Sequence, residues 1–382
     1  MPMTEADRER WIQTLDGLPA DQTPAPDDRI AVEANLSGFL GNMWLNATIP
    51  EVQGVSVAEL QMVAVQYFLN RADAYSAASL AAMTELAETP GGRRAALKAL
   101  ERLEKLGVAA PSWYGEELVL DACWESGDVY GDCRTYFMSF LAPSGDFALS
   151  YTVDYSDFHF DMVTACGHHP DIEVLLSPHR ERNAIFVDRL YVPRRCEPLE
   201  VYKGTFRSLD DWDIFCVGGD PGKLDFSYVA VRSMWKARLR MLPQVEIDPG
   251  EMVAPTDEEQ GLRNGAFLTY LISGNRELEE PHIKAIDEMC WFHGFNGFSV
   301  SPVSAFVFLE RYLPGKYEPG DPVIRAVRDL MPDFVTWAAN VTDVPLEAVP
   351  HLEYKTGQLL KGYPKWKAMN KDIARIPRPR SL

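Results

Sequence analysis

Residues 147–155 fix more about this fold than any other stretch of the chain. Phe147, Leu149, Tyr151, Val153 and Tyr155 alternate with Ala148, Ser150, Thr152 and Asp154. Strict period-2 alternation puts all the large apolar side chains on one face of a strand. Such a strand belongs to an antiparallel sheet with one buried and one solvated face. Glu117 to Trp124 and Arg134 to Leu141 read as two more strands, with Tyr130-Gly131-Asp132 supplying the turn between them. Phe158, Phe160 and Met162 are apolar on even positions, so the phase flips at Ser156-Asp157 and a bulge or tight turn belongs there. Ala184 to Val192 and Asp213 to Val217 read as further strands, and Asp171 to Leu176 as a short helix.

A one-faced sheet needs a cover, and the first 110 residues read as a helical layer. Glu5 to Leu15 reads as a short helix. Asp27 is placed to cap a second one that carries Ile30, Leu36 and Leu40. Ser56-Val57-Ala58-Glu59 is a capping box, and the Ala-rich run behind it keeps helical periodicity to Leu86. Pro90-Gly91-Gly92 breaks that run, and Arg93 to Leu106 forms a helix ended by Gly107. Asp225 to Met241 reads as an amphipathic helix with Phe226, Val229, Ala230, Met234 and Ala237 inward.

A chain of 382 residues exceeds what one core usually supports, so two units are expected. Pro243 to Glu258, with Pro243, Pro249, Gly250 and Pro255, reads as the linker. Thr256-Asp257-Glu258-Glu259 is a second capping box, and only helical patterns follow it to about Lys361. Ser301-Pro302 sets a cap before a first-turn proline, and Pro314-Gly315 is expected to stop that helix. The expected fold class is α+β. Residues 1–242 form a helical layer on an antiparallel sheet, 243–258 a linker, 259–362 an all-α domain, and 363–382 a basic, disordered tail.

The formal charge of −19 repels phosphate backbones and anionic bilayers. Two basic groups stand against it: Arg232, Lys236, Arg238 and Arg240, and the tail from Lys365 to Arg380. Neither resembles a groove-binding element, so nucleic acid is disfavoured as a partner. The six cysteines show no C-x-x-C spacing and read as free thiols of a cytoplasmic protein. The first residues lack the apolar core of a signal peptide, and no apolar run is long enough to span a membrane.

Four groups of residues invite chemistry. Asp154, Asp157, His159 and Asp161, with His168, His169 and Asp171 behind them, could hold a divalent metal such as Mn²⁺, Fe²⁺ or Zn²⁺. The plainer reading is the solvated face of a sheet. Gly218 to Lys223 sits where a phosphate loop would, but Leu224 replaces the required hydroxyl and Pro221 lacks an amide proton. Cys290 and His293 are three apart on a helix and could touch, although a core thiol beside a satisfied histidine explains them as well. The aromatic segment Trp291 to Phe298 and Trp337 read as core, the alternative being an exposed patch for a partner protein.

Two stretches carry a family resemblance: Leu106-Gly107 through Trp113 to Asp128-Val129-Tyr130-Gly131-Asp132 and Val153-Asp154, and Ser301-Pro302-Val303 through Leu309 to Leu313-Pro314. Together they resemble uncharacterised actinobacterial proteins that join a helix-plus-sheet part to a helical one. The resemblance implies this two-part architecture and supplies no catalytic residue. The expected function is a cytoplasmic, non-enzymatic interaction or regulatory protein with a protein partner. The alternative is a metal-dependent hydrolase built on the Asp154 group, with His168 or His169 moving a proton.

Overall fold

The structure is a computed structural model that describes residues 9, 12, 23–48, 56–154, 162–185, 193–218, 226–245, 254–294, 297–318, 320–342 and 344–361. The fold is α+β. Its helical layer comprises α1 (Arg29–Thr48), α2 (Val57–Arg71), α3 (Ala74–Leu86) and α4 (Pro90–Lys105). Ser56 and Glu59 form the expected capping box, with reciprocal bonds of 3.2 and 2.9 Å. The run behind it is two helices, where periodicity predicts one. Ala72 turns into the left-handed region at φ 51°, and the Asp73 carboxylate restarts the chain by accepting from Ser76 N at 2.7 Å. Pro90 begins α4 as its first residue, capped by Thr89, where the sequence reading took it for a breaker. Gly107, at φ 86°, closes α4 by donating to the Glu104 carbonyl while Val108 N reaches the Leu103 carbonyl. The cap of α1 is Asp28, which accepts from Ala31 N at 3.0 Å. Asp27 instead accepts from the backbone and hydroxyl of Ser112, 85 residues away.

The sheet contains β1 (Val119–Gly127), β2 (Cys133–Leu141), β3 (Phe147–Asp154), β4 (Met162–His169) and β5 (Arg194–Cys196), in the order β4-β3-β2-β1-β5. Each pairing is antiparallel. The apolar face of β3 is as expected: Phe147, Leu149, Tyr151 and Val153 are all buried, the first three opposite Phe140, Met138 and Tyr136 of β2 and Val153 opposite Arg134. The second face is not left to solvent as expected: Phe137 and Ala148 are also fully buried, and His179 packs on the Phe137 ring at 5.1 Å. The phase flip expected at Ser156-Asp157 lies outside the described residues. Helices α5 (Ile172–Ile185), α6 (Pro198–Gly218) and α7 (Phe226–Leu239) complete this part. The strand expected at Asp213–Val217 is instead the last turn and a half of α6. A five-residue apolar run does not distinguish a strand from a buried helix segment, and here Val201, Tyr202, Thr205, Ser208 and Leu209 carry a helical stripe into it. Ala184 and Ile185, expected to open a strand, end α5, and residues 186–192 lie outside the described set.

Close helix packing uses glycine twice. A Cβ on Gly41 of α1 would meet the Val229 carbonyl of α7 at 1.9 Å, and one on Gly204 of α6 would meet the Tyr136 hydroxyl of β2 at 2.0 Å. In α7, Val229, Met234 and Ala237 face inward as expected, but Ala230 is exposed. Trp235 of α7 stacks on Tyr151 of β3 with centroids 4.8 Å apart.

Half of the basic cluster of the sequence is interior: Arg232 and Arg238 are buried, Lys236 is half-buried and Arg240 is exposed. Arg238 is 1% exposed, ion-paired with Glu33 of α1 and, at 3.3 Å, with Glu85 of α3. Its guanidinium lies 5.2 Å from the Phe147 ring centroid and 5.8 Å from that of Phe140. Arg29 shares both carboxylates, at 2.9 Å from Glu33 and 3.2 Å from Glu85. Nearly two turns earlier on α7, Arg232 grips Asp213 with two bonds of 2.8 and 2.7 Å, pairs with Glu88, and covers Trp44 at 4.0 Å. Lys236 and the Tyr228 hydroxyl also bond Asp213.

The helical remainder comprises α8 (Asp257–Ser273), α9 (Glu280–Phe292), α10 (Pro302–Val307), α11 (Leu313–Lys316), α12 (Pro322–Val341) and α13 (Val349–Leu360). Thr256 and Glu259 form the second capping box. A π turn over Phe308–Tyr312 joins α10 to α11, so the helix runs on past Pro314 to Lys316. The wider spacing of that turn removes the i−4 hydrogen bond for which proline has no proton. Buried apolar side chains gather in two clusters, one spanning Val32 to Leu242 and the other Phe267 to Leu360.

Removing one carboxylate from the Arg29–Glu33–Glu85–Arg238 group strands buried positive charge. Glu33→Gln is expected to cost about 3–5 kcal/mol in urea unfolding, the range for breaking a buried ion pair. A loss below about 1 kcal/mol would mean that water reaches these guanidiniums.

Candidate functional site

The residues singled out for metal chemistry are only partly described. Asp154 closes β3, in register with Cys133 on one side and Met162 on the other. Asp157, His159 and Asp161 lie outside the described residues. His168 and His169 pair with Leu149 and Ala148, at the opposite end of β3 from Asp154. Six residues of strand separate Ala148 from Asp154, roughly 20 Å. An ion held beside Asp154 would therefore be beyond direct reach of either imidazole. His169 has a local role instead: its Nδ1 accepts from Asp171 N at 2.9 Å, and Asp171 Oδ1 accepts from Glu173 N in the first turn of α5. Among the described residues, no group of three or more His, Cys, Asp or Glu is placed to share a metal ion. Gly218 ends α6, and Gly219 to Lys223 lie outside the described set.

Cys290 and His293 are both buried, and their environments oppose nucleophilic catalysis. Burial pushes the Cys290 thiol up to about 12 and the His293 imidazole down to about 3. A reactive pair needs a thiolate beside an imidazolium, the reverse of both shifts. His293 Nδ1 lies 3.1 Å from the Ser299 carbonyl, and its Nε2 has no hydrogen-bond partner among the described residues. Its ring packs among Phe292, Phe308 and Phe334. Phe292 and Trp337 are likewise buried, and Trp291 and Phe298 are half-buried against the same cluster, so the described aromatics of this segment pack on the core; Phe295 lies outside the described residues. Glu288 of α9 anchors the π turn, accepting from Tyr312, Tyr317 and Lys316 at 2.6–2.7 Å. Burial works against its charge, yet those three donors hold its carboxyl below the ordinary range.

The two stretches that carry the family resemblance meet in space. The β1–β2 turn is wound around Asp128, whose carboxylate accepts from the amides of Tyr130, Asp132 and Cys133 at 2.7–3.1 Å. This presents Tyr130 and Asp132 to the C-terminal helices. Tyr130 stacks on His351 of α13, and its hydroxyl lies 3.1 Å from both the Ala348 carbonyl and His351 Nδ1. Asp132 accepts from the Ser301 hydroxyl at 2.7 Å, and that same oxygen caps α10 by accepting from Ser304 N at 2.8 Å. Sequence reasoning took 130–132 for turn chemistry alone. A tyrosine at a hairpin tip was the available clue.

The outward face of α8 stands apart from the rest of the surface. Leu262 is 69% exposed, Ile272 59% and Tyr270 39%. Gly261, Gly265, Ala266, Thr269 and Ser273 are exposed with them, so no charged residue lies on this face from 261 to 273. Only Phe267 and Leu271 of α8 are buried. Among the described residues, nothing lies within 4 Å of a Cβ built on Gly261 or Gly265. Internal packing thus leaves both glycines unexplained, although each weakens the helix by about 1 kcal/mol relative to alanine. Acidic Asp257, Glu258 and Glu259 flank the face at its N-terminal end. Sequence reasoning looked for an apolar surface at Trp291 and Trp337; the pattern Gly261-Leu262-x-x-Gly265-Ala266 was legible and went unused.

Compared with protein-family models, curated proteins and solved structures, the chain matches none of them. Among the described residues, no helix is long and apolar enough to cross a membrane.

The burial of His293 has a consequence for pH. Its folded pKa, about 3, lies below the ordinary 6.5, so the unfolded chain takes up a proton first as pH falls. This part of the stability is present above pH 6.5 and drains away between there and pH 3. Between pH 7 and pH 5 the single group should remove about 2 kcal/mol of unfolding free energy. Urea titrations at the two pH values should show this loss in the native chain and not in His293→Phe. Equal losses in both would contradict a buried neutral imidazole.

Proposed function

We propose that this chain is a non-enzymatic interaction or regulatory protein of the cytoplasm, and that the outward face of α8 receives a helix of a partner protein. The observation that carries the reading is the uncharged, largely apolar outward face of α8 between Gly261 and Ser273, with Arg263 turned aside over the Phe298 ring. The chain as a whole is 24% charged with a net −19, so such a face is out of character for its surface. Burying Leu262, Tyr270 and Ile272 would supply the apolar centre of an interface. The two bare glycines let a second backbone approach closely. The acidic residues at the head of α8 favour a partner helix with basic residues at the matching end.

Substitution separates partner binding from internal packing. Gly261→Ala with Gly265→Ala should raise stability by about 1–2 kcal/mol, since alanine favours the helix and meets no neighbour. The same double variant, and Tyr270→Asp, should lose the partner that cross-links to the native chain in cells. Thermal melts and cross-linking mass spectrometry read the two effects. Retention of the same partner by both variants would refute the assignment. A product made only of this chain would show the face to join two copies.

A further inference from the structure

A cavity of about 190 Å³ opens between α6 and the end of α7. Tyr202, Phe206 and Leu209 form its α6 wall, at i, i+4 and i+7 of one helical face. Tyr202 and Phe206 stack with centroids 5.1 Å apart. Leu239 closes the floor, and Lys236, Arg240 and Gln244 stand at the rim. Tyr202, Leu209 and Leu239 are buried, while Phe206 is an exposed lip.

Two cations line this cavity, and they differ in their partners. Lys236 is ion-paired with Asp213. Arg240 and the neighbouring Arg93 have no carboxylate partner among the described residues. Arg93 donates to the Ala87 and Glu88 carbonyls at 2.8 and 3.0 Å, and Arg240 to that of Glu85, at the C-terminal end of α3. Of these two arginines, only Arg240 lines the cavity. Partial burial and the neighbouring Arg93 and Arg238 charges push its pKa down, so a negative charge beside it would be stabilised.

We propose that this cavity binds a small amphipathic monocarboxylate, its apolar body between Tyr202, Leu209 and Leu239 beneath Phe206, and its carboxylate on Arg240. Arginine offers a carboxylate two parallel donors. One negative charge suits the rim better than two, because the ammonium of Lys236 is already bonded to Asp213, whose charge repels a dianion. An engineered cavity of about 150 Å³ admits a benzene ring, so the body is one ring or a chain of about six to eight carbons. The site is separate from the face of α8 and does not depend on it.

Isothermal titration of the full chain with phenylacetate and octanoate tests the site, with benzyl alcohol and inorganic phosphate as the uncharged and the purely ionic comparisons. At least one carboxylate should bind at least tenfold more tightly than either comparison. Arg240→Gln should weaken that binding tenfold or more. Phe206→Ala, at the exposed lip, should weaken it several-fold while leaving the melting temperature unchanged, which keeps the test valid if Arg240→Gln loosens the end of α3. Absence of carboxylate binding at millimolar concentration overturns the proposal. So does equal binding of benzyl alcohol or phosphate, or affinity that survives both substitutions.

Discussion

The interaction on which the N-terminal part depends is the buried contact of Arg238 with Glu33 and Glu85 beneath the rings of Phe140 and Phe147. It joins α1, α3 and α7 to the inner face of the sheet at one point. A guanidinium there must find carboxylates, since an unpaired buried charge costs several kcal/mol. Two carboxylates and two guanidiniums, with Arg29 as the second, satisfy that demand. The register of α7 follows: Trp235 lands on Tyr151, and Arg232 on Asp213 and Trp44. One turn further along, Arg240 is left with backbone carbonyls and an open cavity beside it.

Glycines mark the difference between surfaces the chain closes upon itself and one it leaves open. Gly41 and Gly204 lie where another backbone or side chain already stands within about 2 Å of the absent Cβ. Gly261 and Gly265 have nothing within 4 Å of theirs among the described residues. The first pair serves the fold, whereas the second weakens α8 without any internal return. The hairpin tip shows a third arrangement, in which a loop wound tightly around Asp128 holds Tyr130 and Asp132 against helices more than 150 residues away in sequence.

Much of the fold was legible because it is local. The capping boxes at Ser56 and Thr256, the stop at Gly107 and the alternation of β3 each depend on residues within a few positions of one another. The misreadings share one cause. Asp213–Val217 has a strand's composition but belongs to a helix whose stripe begins at Val201. Asp27 looked like a cap until Ser112 claimed its carboxylate. Pro90 can begin a helix as well as break one, and a distant Gln61 holds the capping Thr89 at 2.7 Å.

The candidate sites divide along the same line. By itself the sequence determined an antiparallel sheet with one strongly apolar face, a helical layer, a helical second half and an acidic net charge, since periodicity, caps and charge are properties of neighbouring residues; that Phe137 and Ala148 on the other face are buried as well was decided by the tertiary structure. Only the tertiary structure decided that Arg232 and Arg238 lie inside, that His293 and Trp337 are core, and that Tyr130 reaches α13. It alone showed that the face of α8 is uncovered by the described residues and that Arg240 meets an apolar cavity. These depend on which charges and surfaces find a partner elsewhere in the chain, and pairing across 50–200 residues leaves no periodic trace in sequence.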